Sequence, residues 1–598
     1  MAGGRKSRVG TLTLCDRVAY TQQMKTAVYL SIAISVLALA APARAKDAQF
    51  AVRAMWVDVG SYNTQQAADK MLDKCRRAKV NVVIASVMAH GALMHKSTHF
   101  LHTVVANEKY DPLGYIVSKA HASGIQVHAL YAVYYEGVKG LQPAKPEWLC
   151  TDIDGVRMSE TYFLSPQIPG VNDYLLSVMK DSLAYDIDGI QLDYIRYSGS
   201  LYDYSEAGRK PFIESHGFDP ADFMDGADRI VPPGRDPFPV RVLRVQRHLG
   251  KPWETTWVES LMDRAGVGFG FITQKPSNID ALCAPGALVL SRYYEVSPEM
   301  TDAIERYVKR GGSVLWIDAP TVGKNARLAG VLGIATENGY LPAKWRKLEP
   351  VGDHPLSRLV PASPIKATCE YASRTDGGAV VARFDSGQPV VIVNHFGAGR
   401  TVLVCFNAGG STGEGPPQLV RDVVRWLRSD SGIEAGRDLM AAKRAEWLKW
   451  RADRVTDLVR RVHDVVKAKN AKLAVSVAGG FGGGEYYTCM RDGRRWMAEN
   501  LLDFGNPMDY CDTTEDLRHE LAAHRASVPA GKLASIYPGL GLYTRKTVNG
   551  KKETVSQDAG VLRDQLAVLR EEGYRGFALF CSAQVSEDQI KVIAEAAK

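Results

Sequence analysis

The feature that most restricts how this chain can fold is an alternation of short apolar runs with amphipathic stretches, broken once and then resumed. From residue 52 onward the runs at 53–58, 80–87, 125–133 and 188–194 read as strands bounded by polar turns. Between them 67–78, 111–123 and 171–185 read as helices. Strands that alternate with helices build βα units, and βα units build a parallel sheet. After residue 200 the rhythm stops at a proline-rich joint, 231–239, and a different α/β stretch follows. Its strands are expected near 240–244, 287–290, 313–317, 390–394 and 400–406, with helices near 253–265, 297–310 and 419–427. A second polar joint spans 429–436. The first rhythm then returns: helix 446–468, strands 472–477, 502–510 and 533–537, helix 558–572, strand 576–581.

Four strands before the break and four after it make eight. The simplest architecture is one (β/α)8 barrel interrupted after its fourth strand by an α/β insert. Residues 46–228 would be the first half of the barrel, 229–436 the insert, and 437–598 the second half. Loops that follow barrel strands lie on the catalytic face, so the insert is expected beside the active site.

The net charge of +8, from 74 Lys+Arg against 66 Asp+Glu, would suit a nucleic-acid partner if the excess were concentrated in the folded part. It is not. Residues 27–41 form an apolar run preceded by Lys25 and followed by Ala43-Arg44-Ala45, the pattern of an export signal cleaved after Ala45. The run is shorter than the ~20 apolar residues of a membrane span, and no Cys follows the cleavage point, so no stable membrane anchor is expected. Met24 is placed where a start codon would give a signal of ordinary length. Residues 1–45 carry six basic residues against Asp16, so +3 remains on the mature chain and no nucleic-acid partner is expected. Of the nine cysteines none forms a C-x-x-C pair, which removes zinc ribbons and thioredoxin-like sites. Cys405 and Cys581 sit within apolar strand-like runs and read as buried thiols.

In a barrel the chemistry comes from the C-terminal ends of several strands. Asp58 ends the first, His90 follows the second, and Tyr134 follows the third. In Asp188-Gly-Ile-Gln-Leu-Asp-Tyr-Ile-Arg-Tyr197 the alternation puts Gln191 and Asp193 on one face of the fourth. A carboxylate closing an apolar strand needs a partner or a task. Arg196 offers both alternatives, a loop-anchoring ion pair or a share in a site. Asp509 closes the sixth strand in Phe504-Gly-Asn-Pro-Met-Asp-Tyr510, with capping of its own loop as the alternative. Two carboxylates at one barrel mouth suit glycoside hydrolysis, in which one protonates the leaving oxygen and the other attacks or stabilises the oxocarbenium-like centre. Trp56, Tyr134, Tyr135, Tyr194, Tyr197 and Tyr510 are candidate stacking surfaces for a sugar. His90 and His95 lack metal-ligand spacing, the glycine cluster 479–484 lacks a phosphate-loop Lys and reads as a mobile loop, and no Gly-x-Ser-x-Gly elbow occurs at a strand-to-helix turn. No metal or cofactor is expected.

Taken in order, Arg53-Ala-Met-Trp-Val-Asp58, Tyr110-Asp-Pro-Leu113, Gly124-Ile-Gln-Val-His-Ala129, Pro146-Glu-Trp148, Asp188–Tyr197, Trp450-Arg451 and Pro507-Met-Asp-Tyr510 resemble the glycosyl-hydrolase-like family ten. The resemblance covers about 50–220 and 440–598. It implies a TIM barrel, often exported, acting on a polysaccharide such as a cell-wall glycan. It also implies Asp193 as the key carboxylate of strand four, with Asp188, Arg196 and Tyr197 in the same motif. Two positions depart from the pattern: Gln191 stands where many members carry His, and Ala132 where they carry Asn. The insert is similar to class I glutamine amidotransferase-like, flavodoxin-like modules. Neither Cys283 nor Cys405 lies on a glycine-flanked nucleophile elbow, so the insert is expected to cover substrate or to mediate homo-oligomerisation without amidase chemistry. The expected catalytic residues are Asp193, as nucleophile or electrostatic stabiliser, and Asp509, as acid/base, with Trp56, Asp58, His90, Tyr134, Gln191, Arg196, Tyr197 and Tyr510 binding an oligo- or polysaccharide. The alternatives are a non-catalytic glycan-binding protein and an assembly scaffold on the same barrel.

Overall fold

Local sequence signals start and stop the elements as the alternation implies. Thr64 accepts a hydrogen bond from Ala67 N and opens α1 (Gln65–Arg77), which buries Ala68, Met71, Leu72 and Cys75, one stripe at helical spacing. Asp111 caps α2 (Pro112–His121), with Pro112 at the first helical position, where its missing N–H costs nothing. Each large side chain so buried stabilises by roughly 1.5–3 kcal/mol. The computed structural model describes residues 50–597 apart from 90, 102–109, 139–144, 158–160, 224–239, 245–252, 283–285, 292–295, 319–323, 336–337, 363, 373, 407–414, 429–438 and 549–550. The N-terminal segment 1–45, both joints, His90 and Cys283 lie outside the described residues.

Eight strands, β1 (Val52–Val57), β2 (Val82–Ala89), β3 (Gln126–Ala132), β4 (Gly189–Asp193), β5 (Ala474–Ala478), β6 (Phe504–Asn506), β7 (Gly539–Gly541) and β8 (Gly576–Phe580), form one parallel sheet in the order β6-β5-β4-β3-β2-β1-β8-β7. Register runs continuously across it, as in Ala54 opposite Val82 and Val52 opposite Gly576. The two edge strands are joined by two parallel bridges, Gly505 to Ile536 and Met508 to Gly539, so the sheet curls into a nearly closed barrel. Around it run α1, α2, α3 (Val171–Ser182), α4 (Leu439–Lys469), α5 (Gly493–Ala498), α6 (Thr514–Ser527), α7 (Ala559–Glu571) and α8 (Glu587–Ala596).

Two strand boundaries differ from the sequence reading. The seventh strand, expected at 533–537, is instead β7; Leu533–Ser535 forms a short 3-10 turn. The Gly-Leu-Gly of β7 carries no alternating apolar signal, because a Cβ on Gly539 would lie 2.8 Å from the Trp56 ring. The sixth, expected over 502–510, shortens to β6, since Pro507 has no N–H to continue the ladder. The glycine cluster 479–484, expected to be mobile, is tied down: Gly479 N donates to Asn506 O at 2.9 Å, and a helix, Gly483–Cys489, begins within it.

Between β4 and α4 the chain builds a second sheet of eight strands. Five are parallel: Gly270–Thr273, Val240–Arg244, Ala287–Ser291, Ser313–Ile317 and Gly399–Val404, side by side in that order. In chain order this is 2-1-3-4-5, an arrangement of doubly wound sheets. Pro389–Phe396, Ala379–Phe384 and Leu348–Pro350 extend it antiparallel. The second sheet is bolted to the barrel at the loops that follow β4 and β5. Its helix Trp253–Arg264 packs on Gly483–Cys489, and Ser200 Oγ donates to Glu259. Arg444 of α4 reaches Glu259 at 2.9 Å and Asp263 at 2.7 Å, all three side chains buried or nearly so. Cys75, Cys150, Cys405, Cys489, Cys511 and Cys581 are buried.

Candidate active site at the barrel mouth

The C-terminal ends of the strands open into a cavity of about 540 Å³. Its size lies within the ~300–1,000 Å³ typical of small-ligand pockets. Most of the wall is apolar or aromatic; Asp58, Ser86 and Asp193 supply side-chain oxygens that do not belong to a ring.

Asp193 ends β4, and the next residue, Tyr194, turns back with φ +46°. A left-handed Tyr costs roughly 1–2 kcal/mol, and the turn it makes brings Tyr194 N to 2.6 Å from Asp193 Oδ1. Burial pushes the Asp193 carboxyl above the ordinary carboxylate range, against the opposing pull of that hydrogen bond and of the Arg491 and Arg196 charges. Asp58 directly follows β1 and enters the same cavity. It caps the turn Val59–Ser61, accepting from Ser61 N at 3.1 Å and from the Ser61 hydroxyl at 2.9 Å, with Cys581 Sγ 3.9 Å from its Oδ2.

Two stacked aromatic pairs line the cavity. Tyr135 stacks on Tyr194 with centroids 4.8 Å apart. Tyr510, 40% exposed, stacks on Phe580 at 5.2 Å and meets the Trp56 ring edge-on at 6.5 Å. Desolvation raises the Tyr510 phenol, with the Asp193 charge adding to it.

Beneath the cavity the barrel is crossed by a buried polar layer. Trp56 Nε1 donates to Gln191 Oε1 at 2.7 Å, and Gln191 Nε2 donates to Ser476 Oγ at 3.1 Å and Asn506 Oδ1 at 2.8 Å. Asn506 Nδ2 in turn donates to the Tyr537 carbonyl at 2.8 Å. Gln191 is wholly inaccessible, so the expected substrate-binding role gives way to a structural one: it ties β1, β4, β5 and β6 together.

Several other expected site residues are also placed elsewhere. Asp509 does not line the cavity; it is buried against α6, where His524 Nε2 lies 2.9 and 3.0 Å from its two oxygens. Strand alternation locates such a carboxylate but not the histidine fifteen residues later that takes it up. Tyr134 points into α3 and donates to Asn172 Oδ1 at 2.8 Å, leaving Tyr135 to face the cavity. Tyr197 is fully buried beside Arg451, and Arg196 donates to the Tyr197 carbonyl at 3.0 Å with its guanidinium over the Tyr194 ring, behind the cavity wall. Of the residues singled out by sequence, Trp56, Asp58, Tyr135, Asp193, Tyr194 and Tyr510 are gathered around the cavity. Ser86, Met508, Phe580 and Arg491 were not singled out by sequence; position at a strand end could have found Ser86 and Phe580, whereas Arg491 lies on a connection with no periodic signal.

The model of the family described as glycosyl hydrolase-like 10 matches residues 51–211. Glycosyl hydrolase DigH of Escherichia coli (strain K12) is 28% identical over 174 residues, a match covering 24% of this chain and 38% of the relative. The protein of the same name from Shigella flexneri matches to the same extent. Among solved structures, alpha-L-fucosidase isoenzyme 2 from Paenibacillus thiaminolyticus is 13% identical over 63% of this chain and 84% of its own, with a TM-score of 0.26. Beta-galactosidase from Bacillus circulans sp. alkalophilus is 10% identical over 64% and 89%, also with a TM-score of 0.26. The curated relatives are thus matched over well under half of their length; the family-model match, 51–211, contains Asp58 and Asp193.

Proposed function

We propose that the chain is a glycoside hydrolase whose active site is the barrel-mouth cavity. The observation that carries the reading is the pairing of a burial-raised carboxyl, Asp193, with a second carboxylate, Asp58, in one cavity walled by stacked aromatic rings. A raised carboxyl is suited to protonate the leaving oxygen of a glycosidic bond, and the second carboxylate to attack or stabilise the sugar centre or to activate water. The acid role assigned to Asp509 from sequence passes to Asp193, because the Asp509 oxygens already face His524. Apolar ring faces are suited to the C–H faces of a sugar. The family match supports this chemistry, and a polysaccharide, with cell-wall glycan as the first candidate, is the proposed substrate. We also read the chain as exported after removal of residues 1–45, with the second sheet serving as an amidotransferase-like module that covers substrate or joins copies.

The test is hydrolysis of a panel of neutral and cell-wall glycans with product analysis, comparing the wild-type chain with Asp193→Asn and Asp509→Asn. Loss of general acid catalysis is worth about 10²–10⁴-fold, so Asp193→Asn should fall by at least the lower figure while Asp509→Asn keeps most of its turnover. Unchanged turnover in folded Asp193→Asn refutes the assignment. Tight glycan binding without hydrolysis by the wild-type chain would establish the binding-protein alternative instead.

A further inference from the structure

Arg491 is a buried cation that the proposed chemistry does not yet use. It follows the helix Gly483–Cys489, and only 5% of it is exposed. Its guanidinium is held on three sides. Nε donates to Glu485 Oε2 at 2.8 Å, Nη2 donates to Glu485 Oε1, and Nη1 donates to the Ala478 carbonyl at 3.1 Å. Ala478 is the last residue of β5 and lines the cavity together with Asp193, which ends the neighbouring strand β4. The backbone makes room for the guanidinium: a Cβ on Gly479 would lie 2.2 Å from Nη1, and Gly479 adopts φ +149°, which side chains rarely tolerate. A glycine with this conformation, a bidentate carboxylate and a strand-end carbonyl therefore form a built cradle. It fixes one full positive charge against the Ala478 carbonyl, one residue beyond the Val477–Leu192 register pair and so on the strand end next to Asp193.

We propose that Arg491 is the positioning residue for Asp193: its cradled charge sets the pH at which Asp193 releases its proton, and Glu485 sets how strongly that charge is felt. The proposal deepens the glycoside hydrolase reading and rests on Asp193 being its acid. The groups facing Asp193 are the Tyr194 N–H and phenol, the Arg196 and Arg491 guanidiniums and the Tyr510 phenol; those facing Arg491 are Glu485, Cys489 and Asp193 itself. Arg196 is stacked on Tyr194 and bonded to a backbone carbonyl, and it is partly open to solvent. Arg491 is enclosed, so its field reaches Asp193 with less screening. A fixed cation favours the carboxylate left once the acid has given up its proton.

The experiment titrates the Asp193 carboxyl directly in the full-length chain, by carbon-13 aspartate labelling with the signal assigned through Asp193→Asn. An opposite charge at close range lowers a carboxyl by about one to three units. Arg491→Gln should therefore raise the Asp193 midpoint by about one unit, and Arg491→Lys should bring most of that shift back. Should Arg491→Gln not fold, Glu485→Gln decides by the opposite sign: removing the competing anion should lower the midpoint. Midpoints that stay at the wild-type value in folded Arg491→Gln, or in folded Glu485→Gln, overturn the proposal. Where the wild-type chain hydrolyses a glycan, the alkaline limb of kcat/KM should move with the same midpoints, which a merely structural arginine would leave in place. A chain that hydrolyses nothing yet shows the shifted midpoints would sink the hydrolase reading and leave the charge coupling standing.

Discussion

Replacing Gln191 with Leu tests whether the layer under the cavity is structural. The two side chains are similar in volume, so the barrel interior keeps its packing while losing three hydrogen bonds: from Trp56 Nε1, to Ser476 Oγ and to Asn506 Oδ1. Gln191, Ser476 and Asn506 are wholly inaccessible and Trp56 is 4% exposed, so water does not replace the lost partners. Each buried polar group left unpaired costs about 1–3 kcal/mol. The indole N–H and the Asn506 oxygen are stranded; the Ser476 hydroxyl is free to turn. The expected destabilisation is therefore about 2–6 kcal/mol, large for one substitution. A chain with two sheets need not unfold in one step, so the barrel transition should be resolved by calorimetry and by urea titration before values are compared. A double-mutant cycle with Trp56→Phe isolates the shared bond, with a coupling of about 1–2 kcal/mol expected. Additive effects, or a cost below about 1 kcal/mol for Gln191→Leu, would refute the account of this layer. A glycan KM raised sharply at unchanged stability would return Gln191 to substrate binding.

Other consequences follow from particular contacts. Burial alone would lower His524, but the adjoining Asp509 carboxylate outweighs it and holds the imidazole above its ordinary value. Its contribution to stability is thus complete below the unfolded value of about 6.5 and is lost as pH rises through the higher folded value. Melting curves of wild type and His524→Gln should lie furthest apart near pH 5.5 and converge on the alkaline side; a gap that widens with pH would contradict this. Arg444→Met leaves Glu259 buried without its cation and should cost about 3–5 kcal/mol, seen as faster proteolytic cleavage between the two sheets. Tyr510→Ala removes the ring stacked on Phe580 and should weaken glycan binding by about 0.5–1.5 kcal/mol, roughly 2- to 12-fold by calorimetric titration.

What the amino-acid order determined by itself was whatever depends on neighbours a few residues apart. Period-two and helical spacing marked β1 to β5 and β8 closely, and the interruption after β4 followed from counting those strands. Asp58 and Asp193 were legible because each ends an apolar strand, and a parallel barrel sends all such ends to one face. Alternation reveals which face of a strand a side chain occupies, but not its depth. Gln191 and Asp193 share a face, yet one closes the floor and the other opens to the cavity. Tertiary contact alone decided the rest. His524 on α6 takes up Asp509, Asn172 on α3 turns Tyr134 away so that Tyr135 faces inward, and Trp56 requires a bare glycine at 539, which erased the apolar signal of β7. Arg491, almost three hundred residues downstream of Asp193, donates to the Ala478 carbonyl at the end of the strand paired with the one that carries Asp193. A partner so distant in the chain is specified by packing geometry, and local pattern carries no record of it.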